Sequence, residues 1–472
     1  MPIKGRSAYL YLASLIISVG VLFGQSGKYT FLPTSAVSQK RSSFVKGGDV
    51  FGTRVFVENK GQFDSKGPNN EKIHYAYDDG VERIYFTSRG LIYEKIKNFP
   101  LSEKQREAQE EGKNVKEKDP EIHYTFMNWV NTGATEPTIE SGEMQHHYIT
   151  YGSAEYNSRT FKKITYKNVY NNIDVEYSIP ENKEYGIKYS VMMHPGADPT
   201  KIRILYSGAV NKVKLNSSGE VVIKTPLDDI TEHLPTSYYE NQEKVASKFT
   251  LHHDTIGFEF PEGIQKNRSV IIDPWVTSVT TLTLNNLCFD VDYDLGGNAF
   301  VFGSFGYAKL AMYNLAGILQ WTFSGILVTP SWSSQAGLSG SVGNFVVDKF
   351  TSKTYIGPGQ GNPRIIRLTQ NGVYDNFITP TTTLYQELWE MGFHCMSGEI
   401  FVLGGGHTSN LSAATINTVS ATLNLSTFQP LNTAFVHDIS AQCIDDAGNI
   451  FVYYACSNGP LNHKICRVNS TF

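Results

Sequence analysis

The sequence predicts an all-β protein, with an antiparallel β-sandwich-like N-terminal domain followed by β-propeller blades. Three observations predict this fold: a hairpin phrase that recurs through the second half, a period of about 50 residues between its copies, and a composition rich in aromatic residues. Aromatic residues make up 12% of the chain, with 27 Tyr and 27 Phe, whereas charged residues make up 18%. Tyr and Phe favour strands, and 472 residues leave room for two or three domains.

Residues 1–26 are predicted to be an export signal. Lys4 and Arg6 form a basic start, residues 8–23 are an apolar run, and residues 24–26 include small residues suited to cleavage. The run is shorter than the roughly 20 residues of a membrane-spanning helix, so we expect no stable membrane span after cleavage; a retained anchor is the competing interpretation. Residues 27–50 are expected to be a linker or disordered arm. The mature protein is expected to be extracellular or at the outer cell surface.

Residues 51–275 are predicted to form the β-sandwich-like domain. Alternating apolar and polar residues, as in 173–179 and 202–206, are typical of strands with one buried face. The boundary is predicted near Asp273–Pro274, where the last strand passes into the propeller. The charged segment 101–120 lacks an apolar face, which indicates a solvated insertion, with a docking element as the alternative.

Residues 276–472 are predicted to form about four propeller blades. The hairpin phrase is clearest at Asp294–Val301 and Asp445–Val452, and weaker copies begin at Asp348 and Cys395. Its Asp and Gly-Asn favour a tight turn that leads into an apolar strand. This period is typical of a four-stranded blade, whereas an ordinary sandwich with similar hairpins is the alternative. Closed propellers commonly have more blades, so we expect an incomplete propeller, truncated from a longer gene product.

A second phrase follows the first two hairpins at a similar distance. It covers Ala311–Trp321 and Ile365–Tyr374, and each copy reads as a strand, a Gly-centred turn and a strand. Two hairpins per repeat supply the four strands of one blade. The second phrase therefore supports the propeller interpretation.

Together these phrases carry a family resemblance. Asp294–Trp321 resembles the SBBP-type β-propeller repeat of exported bacterial proteins. Val57–Phe63, which reads VENKGQF, resembles the opening of an uncharacterised N-terminal domain that precedes such propellers in Bacteroidetes, and Val169–Tyr177 and His194–Pro199 agree with it. The two resemblances span residues 55 to about 468. They imply a surface protein associated with gliding motility or type IX secretion, and they imply no activity whose residues could be carried over.

Asp290, Asp292 and Asp294 alternate in a way that can bring carboxylates to one hard cation. An EF-hand loop also requires Gly and Glu where the chain has Leu295 and Val301. Asp294 is already explained as the turn residue of the repeat. We therefore favour a strand and a turn over a calcium site.

The adjacent pairs His146–His147 and His252–His253 are weak metal candidates. Neighbours on a strand point to opposite faces, so both rings of a pair cannot bind one metal without a bulge. We expect one exposed and one packed histidine in each pair.

The cysteines are all in the second half, and their odd count leaves at least one outside any intramolecular disulfide. Buried thiols or a single disulfide are favoured over metal binding, and the pairing stays open. The five positions are Cys288, Cys395, Cys443, Cys456 and Cys466.

Glu387 and Glu390 flank Trp389 and are the best local candidates for a catalytic pair of carboxylates. Trp389 fits a blade-packing position equally well. We therefore predict no catalytic, cofactor-binding or metal-binding residue and no cofactor.

The leading hypothesis is a secreted or cell-surface, non-catalytic scaffold, adhesin-like, that uses propeller loops to bind a glycan or a protein. The alternative is a propeller hydrolase or lyase acting on polysaccharide, and a structural stalk within a longer adhesin is a third interpretation. A net charge of −4 argues against a nucleic-acid partner, because phosphate binding requires clustered Lys and Arg. The oligomeric state is not predicted.

Overall fold

The computed structural model describes residues 49–468, interrupted by gaps. The predicted signal sequence, nearly all of the predicted arm and most of segment 101–120 lie outside the described residues. The gaps are at 65–66, 79–81, 98, 100–103, 106–115, 117, 134–135, 153–156, 181–186, 278–287, 304–305, 326–332, 335–343, 358–364, 379–386, 396, 406–410, 418–424, 431–438, 445–448 and 455–463.

The N-terminal half contributes nineteen of the described strands, with two short 3-10 turns at Pro68–Asn70 and Pro199–Lys201. The strands are β1 Phe56–Glu58, β2 Ile73–Asp78, β3 Glu82–Thr87, β4 Gly90–Lys97, β5 Glu121–Trp129, β6 Thr138–Thr150, β7 Asn157–Tyr170, β8 Ile173–Ser178, β9 Ile187–Met193, β10 Ile204–Gly208, β11 Lys212–Leu215, β12 Val221–Lys224, β13 Ile230–Glu232, β14 Thr236–Tyr239, β15 Lys244–Val245, β16 Lys248–His252, β17 Thr255–Glu259, β18 Val270–Asp273 and β19 Trp275–Thr277.

These strands pair antiparallel along one continuous path. The path runs β11, β12, β13, β19, β9, β8, β7, β1, β2, β3, β4, β5, β10, β17 and β16. It branches at β7, which also pairs with β6, and at β9, which also pairs with β18. The sheet therefore includes β19 through Thr277, which pairs with Thr231 of β13.

Part of this sheet is buried on both faces. Ile84 and Phe86 of β3 belong to a large core, whereas Tyr85 between them belongs to a second core on the opposite face. Phe63 and Tyr151 cover that second face, and their rings pack edge to face at 5.2 Å. The alternation in the sequence predicts the strands correctly but not the second buried face, because its cover comes from a loop.

The second half contributes seventeen described strands. They are β20 Cys288–Tyr293, β21 Ala299–Gly303, β22 Gly306–Tyr307, β23 Lys309–Tyr313, β24 Leu319–Ser324, β25 Ser333–Ser334, β26 Asn344–Val347, β27 Thr354–Gly357, β28 Ile365–Leu368, β29 Tyr374–Ile378, β30 Glu387–His394, β31 Glu399–Gly405, β32 Leu411–Asn417, β33 Leu425–Pro430, β34 Ile439–Ile444, β35 Ile450–Tyr454 and β36 Lys464–Val468.

Most of these strands form successive antiparallel sheets, which we number as blades. Blade 1 is β20, β21, β23 and β24; blade 2 is β26 to β29; blade 3 is β30 to β33; blade 4 has three described strands, β34 to β36. Their first strands, β20, β26, β30 and β34, lie next to one another in that order. Blades 1 and 2 share a core in which the rings of Phe302 and Phe345 are 5.4 Å apart. The predicted all-β fold with propeller blades is confirmed.

In blades 1 and 2, the Asp of the repeated phrase accepts hydrogen bonds within the turn that it begins, although the blade 2 turn is longer. The Asp294 carboxylate accepts hydrogen bonds from the backbone N–H and side-chain amide of Asn298, at 2.9 and 2.8 Å. In blade 2, Asp348 does the same for the N–H groups of Phe350 and Thr351. In blade 3 the turn acceptor is the ring nitrogen Nδ1 of His394, one residue before the position that the repeat predicts.

One pairing joins the two halves of the chain. Strand β24, the outer strand of blade 1, pairs in parallel with the end of β6 in the N-terminal domain, with Trp321 opposite Tyr148 and Phe323 opposite Thr150. The N-terminal sheet and blade 1 are therefore one hydrogen-bonded sheet. Among the described residues, no helix is long and apolar enough to cross a membrane.

Candidate functional site

Two of the three alternating aspartates, Asp292 and Asp294, have separate structural partners. Asp294 is buried in its turn and also accepts a hydrogen bond from the Ser352 hydroxyl of blade 2 at 2.6 Å. Burial alone would raise the pKa of Asp294, but hydrogen bonds from Ser352 and Asn298 outweigh it and hold the pKa below its usual value. Asp290 and Asp292 lie on strand β20, and Asp294 begins the turn that follows it.

Asp292 connects blade 1 to blade 2. Its carboxylate accepts a hydrogen bond from the Val347 N–H at 2.8 Å and pairs with the Lys349 ammonium. The same ammonium donates to the Tyr293 carbonyl at 2.8 Å and lies 4.4 Å from the centre of the Tyr293 ring. In the part of the chain that the structure describes, no group of three or more His, Cys, Asp or Glu side chains is arranged to hold a metal ion.

Glu390 is the described member of the predicted acidic pair, and the side chains of Glu387 and Trp389 lie outside the described residues. A register shift in β30 between Leu388 and Glu390 interrupts its ladder with β31. Burial, helped by the negative charge of Asp290 on the first strand of blade 1, raises the pKa of Glu390 to about 7. The sequence pairs Glu390 with Glu387, whereas the structure gives it Asp290 as an electrostatic neighbour.

The histidine pairs behave differently from each other. His146 is exposed, and His147 is half-buried with Nε2 2.9 Å from the Gly52 carbonyl oxygen, as predicted for one exposed and one packed ring. His252 and His253 are both exposed, so the prediction is wrong for that pair. The chain turns at His253, whose φ is +54°, and neither ring reaches the core.

Of the cysteines, Cys288, Cys395 and Cys443 are exposed and form no disulfide with one another. The side chains of Cys456 and Cys466 lie outside the described residues. The expectation of buried thiols is wrong for the three described cysteines, and the disulfide pairing stays open.

Four exposed apolar side chains gather where the hairpin turns of blades 1 and 2 meet; we call them the turn patch. They are Tyr293 (60% exposed), Leu295 (67%), Leu315 (79%) and Phe350 (60%). The Leu295 N–H donates to the Lys349 carbonyl at 3.0 Å, which holds the two hairpins together. Leu315 lies against Gly297, where a Cβ would be only 2.7 Å from the leucine Cδ1.

The turns under the patch are fixed by side-chain hydrogen bonds. Asn314 accepts from the N–H groups of Ala316 and Ile318, both at 3.0 Å, beneath Leu315. On the other side, the ring of Phe350 packs edge to face on Phe393 of blade 3, with centroids 5.6 Å apart. A preorganised apolar surface loses little conformational entropy when it binds a partner.

Buried charges lie in the N-terminal domain, where no motif predicts them. Asp78, Arg83 and Glu94 stand opposite one another on β2, β3 and β4. The Arg83 guanidinium donates to Glu94 at 2.5 Å and lies 3.4 Å from Asp78, and the Tyr85 hydroxyl donates to Glu94 at 2.9 Å. Because the cluster is buried and mutually bonded, we interpret it as structural.

A second buried carboxylate belongs to Glu232 in the large core. The hydroxyls of Tyr189 and Tyr206 donate to its two oxygens at 2.5 and 2.6 Å. Burial raises the pKa of Glu232, and the two tyrosine hydrogen bonds offset only part of that rise. Glu232 lies two residues after the buried Ile230 on β13, so the strand period of two could have predicted that Glu232 is on the buried face.

The motif at Val57–Phe63 covers part of the second buried face of the sheet. The Asn59 side chain caps the turn by accepting from the Gly61 N–H at 2.9 Å, and the Gln62 amide donates to the Ser158 hydroxyl at 2.8 Å. Phe63 is then buried against Tyr85 and Tyr151. Asn59, Gln62 and Phe63 of the motif thus serve the fold.

Residues 56–275 match a family model described as a domain of unknown function, DUF7948. No curated protein is significantly similar to the chain in sequence. Among solved structures, the periplasmic gluconolactonase PpgL of Pseudomonas aeruginosa is 9% identical and covers 71% of this chain and 84% of its own, with a TM-score of 0.25.

Two further solved structures are similar to the same degree. Sqt1 from Chaetomium thermophilum is 12% identical, covers 68% of this chain and 87% of its own, and has a TM-score of 0.26. The extracellular domain of BT3049 from B. thetaiotaomicron is 11% identical, covers 85% of this chain and 53% of its own, and has a TM-score of 0.25. Similarities at these TM-scores carry no argument about function.

Proposed function

We propose that the protein is an exported, non-catalytic recognition scaffold, and that the turn patch is its binding surface for a glycan or protein outside the cell. One observation carries the proposal: Tyr293, Leu295, Leu315 and Phe350 stay exposed at or beside hairpin turns that side-chain hydrogen bonds fix. Contiguous exposed apolar side chains are typical of interaction sites on soluble proteins. The predicted export signal and the resemblance to SBBP-type surface proteins support a location at the cell surface.

The patch also has the composition of a binding surface. Aromatic side chains contribute large contact areas with few rotatable bonds, and Tyr adds a polar hydroxyl at its end. Lys349 and Asp292 at the border satisfy each other, so a ligand meets a neutral apolar centre with a polar rim. Glu390 lies on β30, the first strand of blade 3, and not in the turn patch. The proposed binding therefore does not require Glu390.

The test measures binding of the full chain to a panel of immobilised polysaccharides and to cell-surface proteins. We expect Tyr293→Ala and Leu315→Ala to weaken binding of the identified ligand about tenfold or more, the loss typical of a central contact residue. Ile122→Ala is the matched control, because Ile122 is also exposed but lies on β5 in the N-terminal domain. Equal binding by patch and control variants would contradict the proposal.

The same preparations test the alternative, a polysaccharide hydrolase or lyase. A carboxyl with a pKa of about 7 beside a second carboxylate is the arrangement that a general acid requires. A non-catalytic scaffold releases no new reducing or unsaturated ends from any polysaccharide that it binds. Release that disappears in Glu390→Gln would overturn the non-catalytic assignment.

A further inference from the structure

The parallel pairing of β6 with β24 joins the two halves of the chain, and we call it the seam. Side-chain hydrogen bonds reinforce its backbone hydrogen bonds. A register shift in β6 between Met144 and Tyr148 interrupts its pairing with β7. Directly after it, residues 148–150 pair in parallel with 321–323 of β24. Successive side chains on these strands point to opposite faces of the shared sheet.

On one face, three consecutive backbone carbonyls near the start of the described chain are held by side chains of the seam. The Tyr313 hydroxyl donates to the Val50 carbonyl, and the Thr322 hydroxyl donates to the Phe51 carbonyl at 2.7 Å. His147 Nε2 lies 2.9 Å from the Gly52 carbonyl oxygen. Residues 50–52 therefore form a strap across blade 1, with the Phe51 side chain fully buried.

On the other face, three consecutive carbonyls of blade 2 are held in the same way. Trp321 Nε1 donates to the Gln370 carbonyl at 3.1 Å, and the Tyr148 hydroxyl donates to the Asn371 carbonyl at 3.0 Å. The Thr150 hydroxyl donates to the Gly372 carbonyl at 2.5 Å, and this bond is buried. Two of the three donors come from the N-terminal domain, although the acceptors belong to a turn more than 200 residues later.

The geometry of Gly372 shows how closely this turn approaches the seam. Its φ is +69°, and a Cβ at this position would lie 2.4 Å from Cε3 of the Trp321 ring. The backbone of the turn therefore rests on the indole ring. A buried carbonyl in such a place requires a hydrogen-bond donor, which Thr150 supplies.

We propose that strands β6 and β24 act as a clasp through which the N-terminal domain sets the position of blade 2 relative to blade 1. The clasp holds the strap on one face and the turn at 369–373 on the other. A substitution in β6 that weakens the clasp should therefore increase local opening of the 369–373 turn, although no residue of that turn has been changed. This inference goes beyond the proposed binding function and stands without it.

The test is hydrogen–deuterium exchange of the full chain, read at peptides that cover residues 365–378. Thr150→Val keeps the shape of the side chain and removes the donor to Gly372. We expect the amides of Gly372 and Val373, which are hydrogen-bonded to Thr369 within the turn, to exchange about tenfold faster. Peptides of β2 and β3 should keep the exchange rates of the unmodified protein.

Two further variants make the result decisive. Tyr148→Phe removes a more exposed donor to the same turn, so it tests the proposal even if Thr150→Val fails to fold, and a smaller acceleration is expected. Thr138→Val is the matched control, because Thr138 is exposed on the same strand. The clasp is refuted if Tyr148→Phe leaves exchange of the 369–373 turn unchanged, or if Thr138→Val accelerates it equally.

Discussion

At the scale of single residues, the buried polar groups of the N-terminal domain show how the chain stabilises charge in its interior. Arg83 lies between two buried carboxylates, so removing Arg83 would leave their negative charge uncompensated. Glu232 instead accepts hydrogen bonds from the hydroxyls of Tyr189 and Tyr206.

We predict that Glu232→Gln makes the protein less sensitive to pH. The pKa of Glu232 is raised above its ordinary value of 4.5, so the folded state binds this proton more tightly than the unfolded state. Its contribution to stability is full below pH 4.5 and is lost as the pH rises through the folded-state pKa. The free energy of unfolding of Glu232→Gln, relative to the unmodified protein, should therefore increase as the pH rises from acid to neutral.

Urea unfolding at a series of pH values measures this difference. Glu262→Gln is the control, because Glu262 is exposed in a loop, and it should give the same pH profile as the unmodified protein. A constant difference between Glu232→Gln and the unmodified protein at every pH would contradict the prediction.

At the scale of elements, the blade turns are where sequence and structure agree most closely. Asp294 and Asp348 accept from backbone N–H groups of their own turns, and Asn314 does so in the second hairpin of blade 1. Such bonds are local, so the residues that make them can be recognised in the sequence. His394 takes the same role in blade 3, and it was missed because imidazole is an uncommon turn acceptor.

We predict that Gly372→Ala is more destabilising than Gly263→Ala, a substitution at a glycine with a similar φ. Gly372 and Gly263 have similar φ values, +69° and +74°, so both replacements carry a backbone cost of about 1–2 kcal/mol. At Gly263 an added Cβ would meet nothing within 4 Å, whereas at Gly372 it would press on the Trp321 ring. The crowding should add about 1–3 kcal/mol, measured as the loss in unfolding free energy.

Trp321 provides a local readout of the same prediction. Displacement of its indole ring should change the near-ultraviolet circular dichroism of Gly372→Ala, while Gly263→Ala should keep the spectrum of the unmodified protein. If the two variants lose equal stability, the close approach of the turn to the ring is not present in solution.

At the scale of the whole molecule, the pairing of β6 with β24 makes the two halves of the chain one sheet. No local pattern predicts this pairing, because the two strands are far apart in the sequence and a strand edge does not specify its partner. The turn patch was missed for a related reason. Leu295 and Leu315 are indistinguishable in the sequence from core residues, and only the packed blades show that they stay exposed.

We predict that the full chain unfolds in a single calorimetric transition that includes both the N-terminal domain and blades 1 and 2. Separation would break the β6–β24 ladder and would expose Thr150, Thr322 and the carbonyls that they hold. The double variant Thr150→Val with Thr322→Val should separate the transitions by weakening both faces of the seam. Two resolved transitions in the unmodified protein would show that the halves unfold independently.

The acceptors on both faces of the seam are main-chain carbonyls rather than side chains. A carbonyl is present whatever amino acid occupies the position, so substitutions at Val50, Gln370 or Asn371 leave the acceptor in place. The donors, in contrast, must keep a hydroxyl or ring N–H. Among related chains, the residues that supply only a main-chain carbonyl should therefore vary freely. The position of Thr150 should keep a side chain with a hydroxyl.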